Sequence, residues 1–232
     1  MHWTVSSRII KNKSGIRFSE IRLFTEVVIS TKANNTAGEK YNRILEAAVS
    51  VFAEKGFHQA TISQIAREAG VADGTIYLYF KNKDDILVQF FTYKTKLVFA
   101  GFREEVKKAD NSISKLRNLV HRHLEEFQKD RNMAVVYEAM THQNIHLVDE
   151  NIREMSKMYL DIVSEIIERG QEEGVMRRDL YIGLVKRFIL GAVESAISNW
   201  LRSKRKYDLT SMTDPIIDLF IRGIGNSGDM KT

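Results

Sequence analysis

The 232-residue chain contains no cysteine, so it can form neither a disulfide framework nor a thiolate metal site, and it has no cysteine nucleophile. It has one proline and 13 glycines, which leaves long uninterrupted segments and favours helices over a sheet with its many turns. Hydrophobic residues make up 44% of the chain, enough to fill a core. Together these observations predict an all-α fold.

Long apolar runs are also missing. No stretch approaches the ~20 residues of a membrane span, and the apolar segment at residues 21–30 is interrupted by Glu26, which makes it a poor signal peptide. Phosphate-binding glycine loops, nucleophile elbows and the HExxH motif do not occur. We therefore expect a soluble cytoplasmic protein that is not an enzyme, with no cofactor and no membrane partner.

The net charge of +5 permits an anionic partner such as nucleic acid, but the charge is unevenly placed. Residues 1–35 contain six basic and two acidic residues, whereas residues 39–85 contain six basic and seven acidic ones. The first segment has weak periodicity and ends in small polar residues. We interpret residues 1–38 as an extension and linker, either an upstream-translated or artificial segment or a basic arm.

From Glu39 onward, helical spacing of apolar residues indicates a three-helix head over residues 39–85 and a helical body over residues 86–226. Thr61 and Gln64 form a capping box for a short second helix that ends at Gly70, and a third helix is predicted from Asp73 to Phe80. Two short helices joined by a tight glycine turn make a helix-turn-helix. Asn82 caps the next helix. Further helices are predicted at 112–129, 132–146, 149–173, 179–202 and 209–224.

The third helix has an apolar face for the core and a polar face that could contact DNA, as a helix in a major groove requires. Ile76 and Phe80 face the core, while Gly74 permits close approach to DNA and hydroxyls can reach phosphates or base edges. Asp73 either caps the helix or accepts from a cytosine amino group. The alternative is a helical trio whose tyrosines are merely half-buried. Residues predicted from their chemistry to contact DNA are Lys40, Arg43, Thr61, Gly74, Thr75, Tyr77, Tyr79 and Lys83.

The segment "TISQIAREAGVADGTIYLYFKNKDDIL", preceded by "RILEAAVSVFAEKGFHQAT", resembles the head of the TetR family of bacterial transcriptional regulators. The resemblance implies a homodimer of all-α subunits, an N-terminal helix-turn-helix and a C-terminal body for ligand binding and dimerisation. Two positions differ from the commoner pattern, since Ala72 and Asp73 stand where Ser and Lys are frequent. By position, the DNA-contacting residues of the family fall on Thr61, Ala72, Asp73, Gly74, Thr75, Tyr77, Tyr79 and Lys83.

A narrower resemblance concerns "GVADGTIYLYFKNKDDIL" and "KYDL" near the last helix. These stretches are similar to the fatty-acid-degradation repressors of that family, which respond to long-chain acyl-CoA. Methionine-rich apolar residues in the body suit a flexible alkyl chain, although such a stripe also forms ordinary cores. The candidate ligand-binding residues are Met133, Val136, Tyr137, Met140, Met158, Tyr159, Ile162, Phe188 and Trp200.

Small residues at four-residue spacing in helix 179–202 allow a second helix to approach closely, and the last helix is unusually apolar. We expect a four-helix dimer interface built from these two helices of each subunit, the alternative being an ordinary core. The interface residues are Gly191, Ala192, Ser195, Ala196, Asn199, Ile217, Phe220 and Ile221. The histidine pairs His121/His123 and His142/His146 have too few converging ligands to predict a metal site.

The sequence thus favours a ligand-responsive repressor that binds a palindromic operator as a homodimer and is released by long-chain acyl-CoA. Two rivals stay open at this point. An enzyme or carrier could use the helical body for a lipid without binding DNA, and a drug-sensing repressor of an efflux transporter would share the fold but not the ligand.

Overall fold

The computed structural model describes residues 35–142, 148–205 and 207–225, and within them regular structure is helical apart from an isolated bridge between Met176 and Gly225. The all-α prediction is therefore confirmed. The elements are α1 (Asn35–Lys55), α2 (Ile62–Ala69), α3 (Asp73–Ile76), α4 (Lys83–Lys107), α5 (Ser112–Lys129), α6 (Arg131–His142), α7 (Asp149–Glu172), α8 (Ile182–Arg202), a 3₁₀ turn (Leu209–Met212) and α9 (Thr213–Ile224).

The chain divides into two units, residues 1–43 and residues 44–232. In the first unit, Lys40 and Arg43 are exposed on α1. Residues 1–34 of the predicted extension and linker lie outside the described residues, as does the end of the predicted helix 132–146. Residues 35–38 form the first turn of α1 rather than a linker.

Local signals in the sequence place the helix ends of the head. The αL conformation of Gly56, at φ 77°, ends α1, and that of Gly70, at φ 62°, ends α2, because a residue with a side chain is strained there. The Asn82 side chain accepts from the backbone N–H of Asp85 at 2.8 Å and so caps α4, as predicted.

The third helix is shorter than predicted. It ends at Ile76 rather than Phe80, and residues 77–79 form turns in which Leu78 N–H donates to Thr75 C=O and Tyr79 N–H to Ile76 C=O. These bonds span three residues, as in a 3₁₀ turn, whereas Phe80 N–H donates to Ile76 C=O at 2.9 Å across four. The α-helical pattern is therefore interrupted after Ile76. The buried side chains of Ile76 and Phe80 still anchor both ends of the segment.

The core of the head is formed by fully buried apolar residues from each of its helices. Ile44 and Ala48 of α1, Ile65 of α2 and Ile76 of α3 are inaccessible to solvent. The T-shaped contact of Phe52 with Phe57, at 5.3 Å between ring centroids, joins α1 to the loop that follows it. A buried face on each helix therefore holds the short helices in place, since helices of this length are unstable alone.

The body is built around α4, α5 and α7, which pack on one another, while α8 packs on α7 and α6, and α9 packs on α5. In the turn after α7 the chain folds back so that the Met176 side chain packs against the backbone of Gly170. A Cβ placed on Gly170 would lie 2.5 Å from the sulfur of Met176, and the Gly170 carbonyl accepts from the N–H groups of Val175 and Met176, both at 3.0 Å. Arg177 N–H then donates to Ile224 C=O at 2.9 Å, which connects this turn to the end of α9.

Candidate DNA-binding surface and ligand cavity

The N-terminus of α2 is closed by a reciprocal capping box. The Thr61 hydroxyl accepts from Gln64 N–H at 3.3 Å, and the Gln64 side-chain oxygen accepts from Thr61 N–H at 2.9 Å. Thr61 is exposed, so its hydroxyl lies at a surface where free backbone N–H groups favour an anion. The predicted cap is confirmed, and the DNA contact of Thr61 stays a prediction.

Asp73 does not cap α3, which corrects the favoured interpretation of this residue. The N-cap is Ala72, whose side chain makes no capping bond, and the carboxylate of Asp73 instead accepts a hydrogen bond from the Ser63 hydroxyl of α2. One oxygen of the Asp73 carboxylate is thus engaged within the helix-turn-helix. This bond holds the two helices in register across the Gly70 turn.

One side of α3 and the following turn is open to solvent. Ala72, Asp73 and Gly74 are exposed, and no atom lies within 4 Å of a Cβ built on Gly74. Tyr77 has 59% of its surface exposed, whereas Thr75 and Tyr79 are half-buried. These residues, which the sequence predicts to contact DNA, therefore lie in one short segment. Most of them are exposed, and the hydroxyl-bearing side chains of Thr75 and Tyr79 are half-buried beside them.

Leu78 belongs to the same surface and was not predicted. It is 80% exposed, more than any other large hydrophobic residue in the described part of the head. An exposed leucine between two tyrosines suits contact with the apolar parts of a nucleic acid, such as thymine methyl groups. On a helical wheel Leu78 lies opposite the buried Ile76 and Phe80, so the spacing in the sequence could have revealed its exposure.

Lys83 has a different environment from the free cation expected at this position. Its ammonium group donates to the carbonyls of Phe57, His58 and Ala60 at 2.6, 3.2 and 3.0 Å and lies 4.6 Å from the centroid of the Phe57 ring. The side chain therefore ties the start of α4 to the loop between α1 and α2. Its contact with DNA stays a prediction.

The body contains an apolar cavity with about 570 Å³ of empty space, part of which is open to solvent. The largest share of its wall comes from α4, with further residues from α5, α6, α7 and α8. The lining side chains are Phe90, Phe91, Lys94, Val98, Phe99, Phe102, His123, Phe127, Met133, Tyr137, Met155, Ser156, Tyr159 and Leu190.

Three of the nine residues predicted to bind the ligand, Met133, Tyr137 and Tyr159, line this cavity. Val136, Met140 and Ile162 are buried but do not reach it, and Met158 is half-buried away from it. Phe188 is 61% exposed on the outer face of α8. Trp200 lies under the guanidinium of Arg131, 4.8 Å from the ring centroid, and its indole N–H donates to Tyr207 C=O.

Helix α4 contributes six of the 14 lining residues, more than any other helix, and none of them was predicted to bind the ligand. Its lining residues fall at helical spacing along one face: Phe90, Phe91, Lys94, Val98, Phe99 and Phe102. This phenylalanine stripe is visible in the sequence. A stripe of this kind also forms ordinary cores, so its spacing alone does not show that it borders a cavity.

Polar groups of the cavity wall differ in whether they are paired. The Tyr137 hydroxyl donates to Glu194 Oε1 at 3.2 Å. The pKa of Tyr137 is raised mainly by burial and, to a smaller extent, by the negative charge of Glu194. Burial lowers the pKa of His123 to about 3 and raises the pKa of Tyr159, so both side chains are neutral at physiological pH. Lys94 is paired with Asp130, with 3.0 Å between Nζ and Oδ2.

The predicted dimer surface is divided between exposed and buried positions. Gly191, Ser195 and Asn199 are exposed, and a Cβ on Gly191 would meet no atom within 4 Å. Ala192, Ala196, Phe220 and Ile221 are half-buried. Ile217 is only 2% exposed and therefore belongs to the core of its own chain. Three unpredicted apolar residues extend the exposed face: Leu184, Phe188 and Leu219, at 49%, 61% and 74% exposure.

Other kinds of site find little support in the part of the chain that the structure describes. Its acidic and histidine side chains form no cluster of three that could hold a metal ion, and His146 lies outside the described residues. None of the helices described has the length and apolar character needed to cross a membrane.

Comparison with known proteins gives two family matches that together cover most of the chain. Residues 44–90 match the model of bacterial regulatory proteins of the tetR family, and residues 91–223 match the C-terminal region of YsiA-like proteins, which carries a TetR designation. The chain is 36% identical to the fatty acid metabolism regulator protein of Bacillus subtilis over 187 residues, which is 81% of this chain and 96% of that protein.

Solved structures agree with these matches. The fatty acid degradation regulator FadR from Bacillus halodurans is 35% identical, with a TM-score of 0.74 over 83% of this chain and 97% of that one. FadR from Bacillus subtilis, crystallised with stearoyl-CoA, is 36% identical, with a TM-score of 0.73 over 79% of this chain and 99% of that one. The helix-turn-helix, the helical body and these matches together show that the chain belongs to the TetR family of bacterial regulatory proteins.

Proposed function

We propose that this chain is a transcriptional repressor that binds a palindromic operator as a homodimer and releases it when a long-chain acyl-CoA enters the cavity, so that genes of fatty-acid degradation are expressed. Family membership makes the chain a regulator rather than a lipid-metabolising enzyme. The observation that carries the ligand assignment is the apolar cavity of the body, whose wall consists almost wholly of hydrocarbon and aromatic surface.

The chemistry of the wall favours an alkyl chain over a cationic drug. Phenylalanine, methionine and tyrosine side chains supply the lining, and no carboxylate occurs among the lining residues that the structure describes. A cationic drug would require a nearby negative charge to replace its hydration. Glu194 and Asp130, whose carboxylates contact lining residues, are already bonded to Tyr137 and Lys94. The fatty-acid regulators to which the chain is similar, one of them crystallised with stearoyl-CoA, support the same assignment. The efflux-repressor alternative is therefore less well supported.

The DNA-binding role rests on the exposed segment from Ala72 to Leu78. Gly74 gives DNA access to the backbone, Tyr77 offers a hydroxyl for a phosphate, and Leu78 adds apolar surface. Lys40 and Arg43 on α1 are exposed cations that can approach the DNA backbone. Two such segments, one per subunit, would bind half-sites about 34 Å apart.

The homodimer rests on the exposed face of α8 and α9. Phe188 and Leu219 are more than half exposed, and Gly191 leaves room for the backbone of a second helix. Large apolar side chains gathered on one face of a single subunit are typical of a surface that another protein covers. Self-association is the arrangement that would also place two DNA-binding segments on one operator.

The decisive experiment measures operator affinity, by fluorescence anisotropy with DNA from the gene's own promoter, in the presence of acyl-CoAs of graded chain length. We expect long chains to weaken binding about 5- to 150-fold, the usual range of allosteric coupling. Free CoA should leave it unchanged. Release by planar cationic drugs without release by any acyl-CoA would instead favour the efflux repressor.

A matched pair of variants locates the effector site. Ser156 lines the cavity, and its neighbour Lys157 is exposed on the other side of α7. Ser156→Trp should bind the operator normally but lose its response to acyl-CoA, because the indole fills the cavity. Lys157→Trp should keep the response. A Ser156→Trp protein that still releases DNA would place the effector elsewhere.

A further inference from the structure

Two polar atoms of residues that line the cavity have no hydrogen-bond partner among the described residues. They are Nδ1 of His123 and the hydroxyl oxygen of Tyr159. The two side chains are 8% and 2% exposed, and their rings are neighbours, with centroids 4.9 Å apart. Buried polar groups are nearly always paired, because an unpaired one loses its bonds to water without replacement.

Within the described parts of the chain, the surroundings of the pair supply no partner. Phe102 lies 5.3 Å from His123 and 5.9 Å from Tyr159 between ring centroids, and Phe127 lies 5.4 Å from His123. These rings offer contact surface but no strong hydrogen-bonding group. Both polar residues line the cavity, so a molecule inside it is in a position to reach them.

Tyr137 provides a comparison within the same cavity. Its hydroxyl is already bonded to Glu194, and the Glu194 charge also contributes to the raised pKa of Tyr159. A negative carboxylate therefore lies near Tyr159. The cation on the wall, Lys94, is held by Asp130.

The protonation of His123 matters for the kind of ligand group that fits. Burial holds its pKa at about 3, so the ring carries no positive charge at physiological pH. An ionised carboxylate placed between a neutral imidazole and a neutral phenol would lose its hydration without a compensating charge. An uncharged oxygen faces no such penalty.

We infer that Tyr159 and His123 form a polar subsite in the cavity that binds one uncharged oxygen of the ligand, with the Tyr159 hydroxyl as donor. The inference rests on the proposed function, because it assigns to an acyl ligand the group that completes this pair. A thioester carbonyl is one oxygen of this kind. An oxo or hydroxyl group further along the acyl chain is another.

The test compares ligands that differ by a single oxygen. Stearoyl-CoA and its thioether analogue S-octadecyl-CoA share the head group and the alkyl chain, and only the former has the carbonyl. A stearoyl-CoA with a hydroxyl in the chain tests the second source. The two comparisons are stearoyl-CoA against its thioether, and hydroxylated stearoyl-CoA against stearoyl-CoA. In one of them we expect calorimetry to show that the complete regulator binds the ligand with the additional oxygen about tenfold tighter. Tyr159→Phe should abolish that preference by weakening only the oxygen-bearing ligand.

Tyr137→Phe is the matched control, since it removes a hydroxyl of the same cavity that already has a protein partner. It should leave the ratio between paired ligands unchanged. Operator affinity without ligand shows that each variant is folded. Equal binding of both members of both pairs to the wild type, or an equal loss for all ligands in Tyr159→Phe, would overturn the subsite. Failure of every acyl compound to bind would overturn the proposed function itself.

Discussion

At the scale of single residues, Lys83 illustrates how a side chain predicted to contact DNA can also serve the fold. Its three hydrogen bonds to main-chain carbonyls satisfy acceptors in the loop between α1 and α2, and two of these bonds are part-buried. Removal of the ammonium group would leave these carbonyls unpaired, and an unpaired part-buried acceptor costs about 1–3 kcal/mol. The position of the loop before α2 thus depends on a residue at the start of α4.

Lys83→Met keeps the aliphatic stem and removes the charge, so we expect it to lower the free energy of unfolding by about 1–3 kcal/mol in urea denaturation. Lys81→Met is the control, because Lys81 is an exposed cation two residues earlier. The alternative, a phosphate contact, makes a different prediction. If stability is unchanged but the slope of log operator affinity against log salt concentration falls by about 1, Lys83 contacts DNA instead.

At the scale of secondary-structure elements, α2, α3 and the turn between them use two glycines for different physical reasons. Gly70 adopts φ 62°, a conformation that strains residues with a side chain. Gly74 lies inside α3 with open space around it, where an added methyl group meets no protein atom. The turn requires Gly70, whereas Gly74 leaves space at the protein surface for another molecule.

We therefore expect Gly70→Ala and Gly74→Ala to separate folding from DNA binding. Gly70→Ala should lower the stability by about 1 kcal/mol, and Gly74→Ala should leave it unchanged or raise it by up to about 1 kcal/mol. Only Gly74→Ala should weaken operator binding at equal folded fraction. Undiminished affinity in Gly74→Ala, measured by anisotropy, would mean that DNA does not approach this face of α3.

The same elements show which features local sequence signals can predict. The capping box of α2, the Gly70 turn and the Asn82 cap depend on bonds between residues close in sequence, and all three occur as predicted. The early end of α3 and the bond from Ser63 to Asp73 depend on how two helices pack. The cavity was predicted only in part for a related reason. Spacing reveals the apolar face of α4, but the gap it borders depends on helices distant in sequence.

At the scale of the whole molecule, the exposed apolar face of α8 and α9 is difficult to reconcile with an isolated subunit. Leu184, Phe188 and Leu219 expose about half or more of their surface, whereas Ile217 on the opposite side of α9 is buried. Covering such side chains gains ~25 cal/mol for each Å² of apolar surface removed from water. Loss of this face should therefore lower both association and operator affinity.

Phe188→Glu places a charge at the centre of this face, and we expect it to shift the protein toward monomer in sedimentation velocity because the carboxylate would be buried without a partner. Leu97→Glu is the control, since Leu97 is also about half exposed, at 53%, but lies on α4. Operator binding should decrease with the dimer fraction in Phe188→Glu. An unchanged association state would show that this face is not the interface.

The continuous helix α4 gives the cavity a geometric means of acting at a distance. Phe99 and Lys83 are 16 residues apart on it, which corresponds to about 24 Å of helix axis. If the helix pivots at Phe99 by about 5°, its first residue moves sideways by about 2 Å over that length. The bonds from Lys83 would carry the loop before α2 along with it. If a ligand against Phe90, Phe91 and Lys94 tilts the helix about Phe99, α4 would act as a lever whose far end displaces the loop before α2.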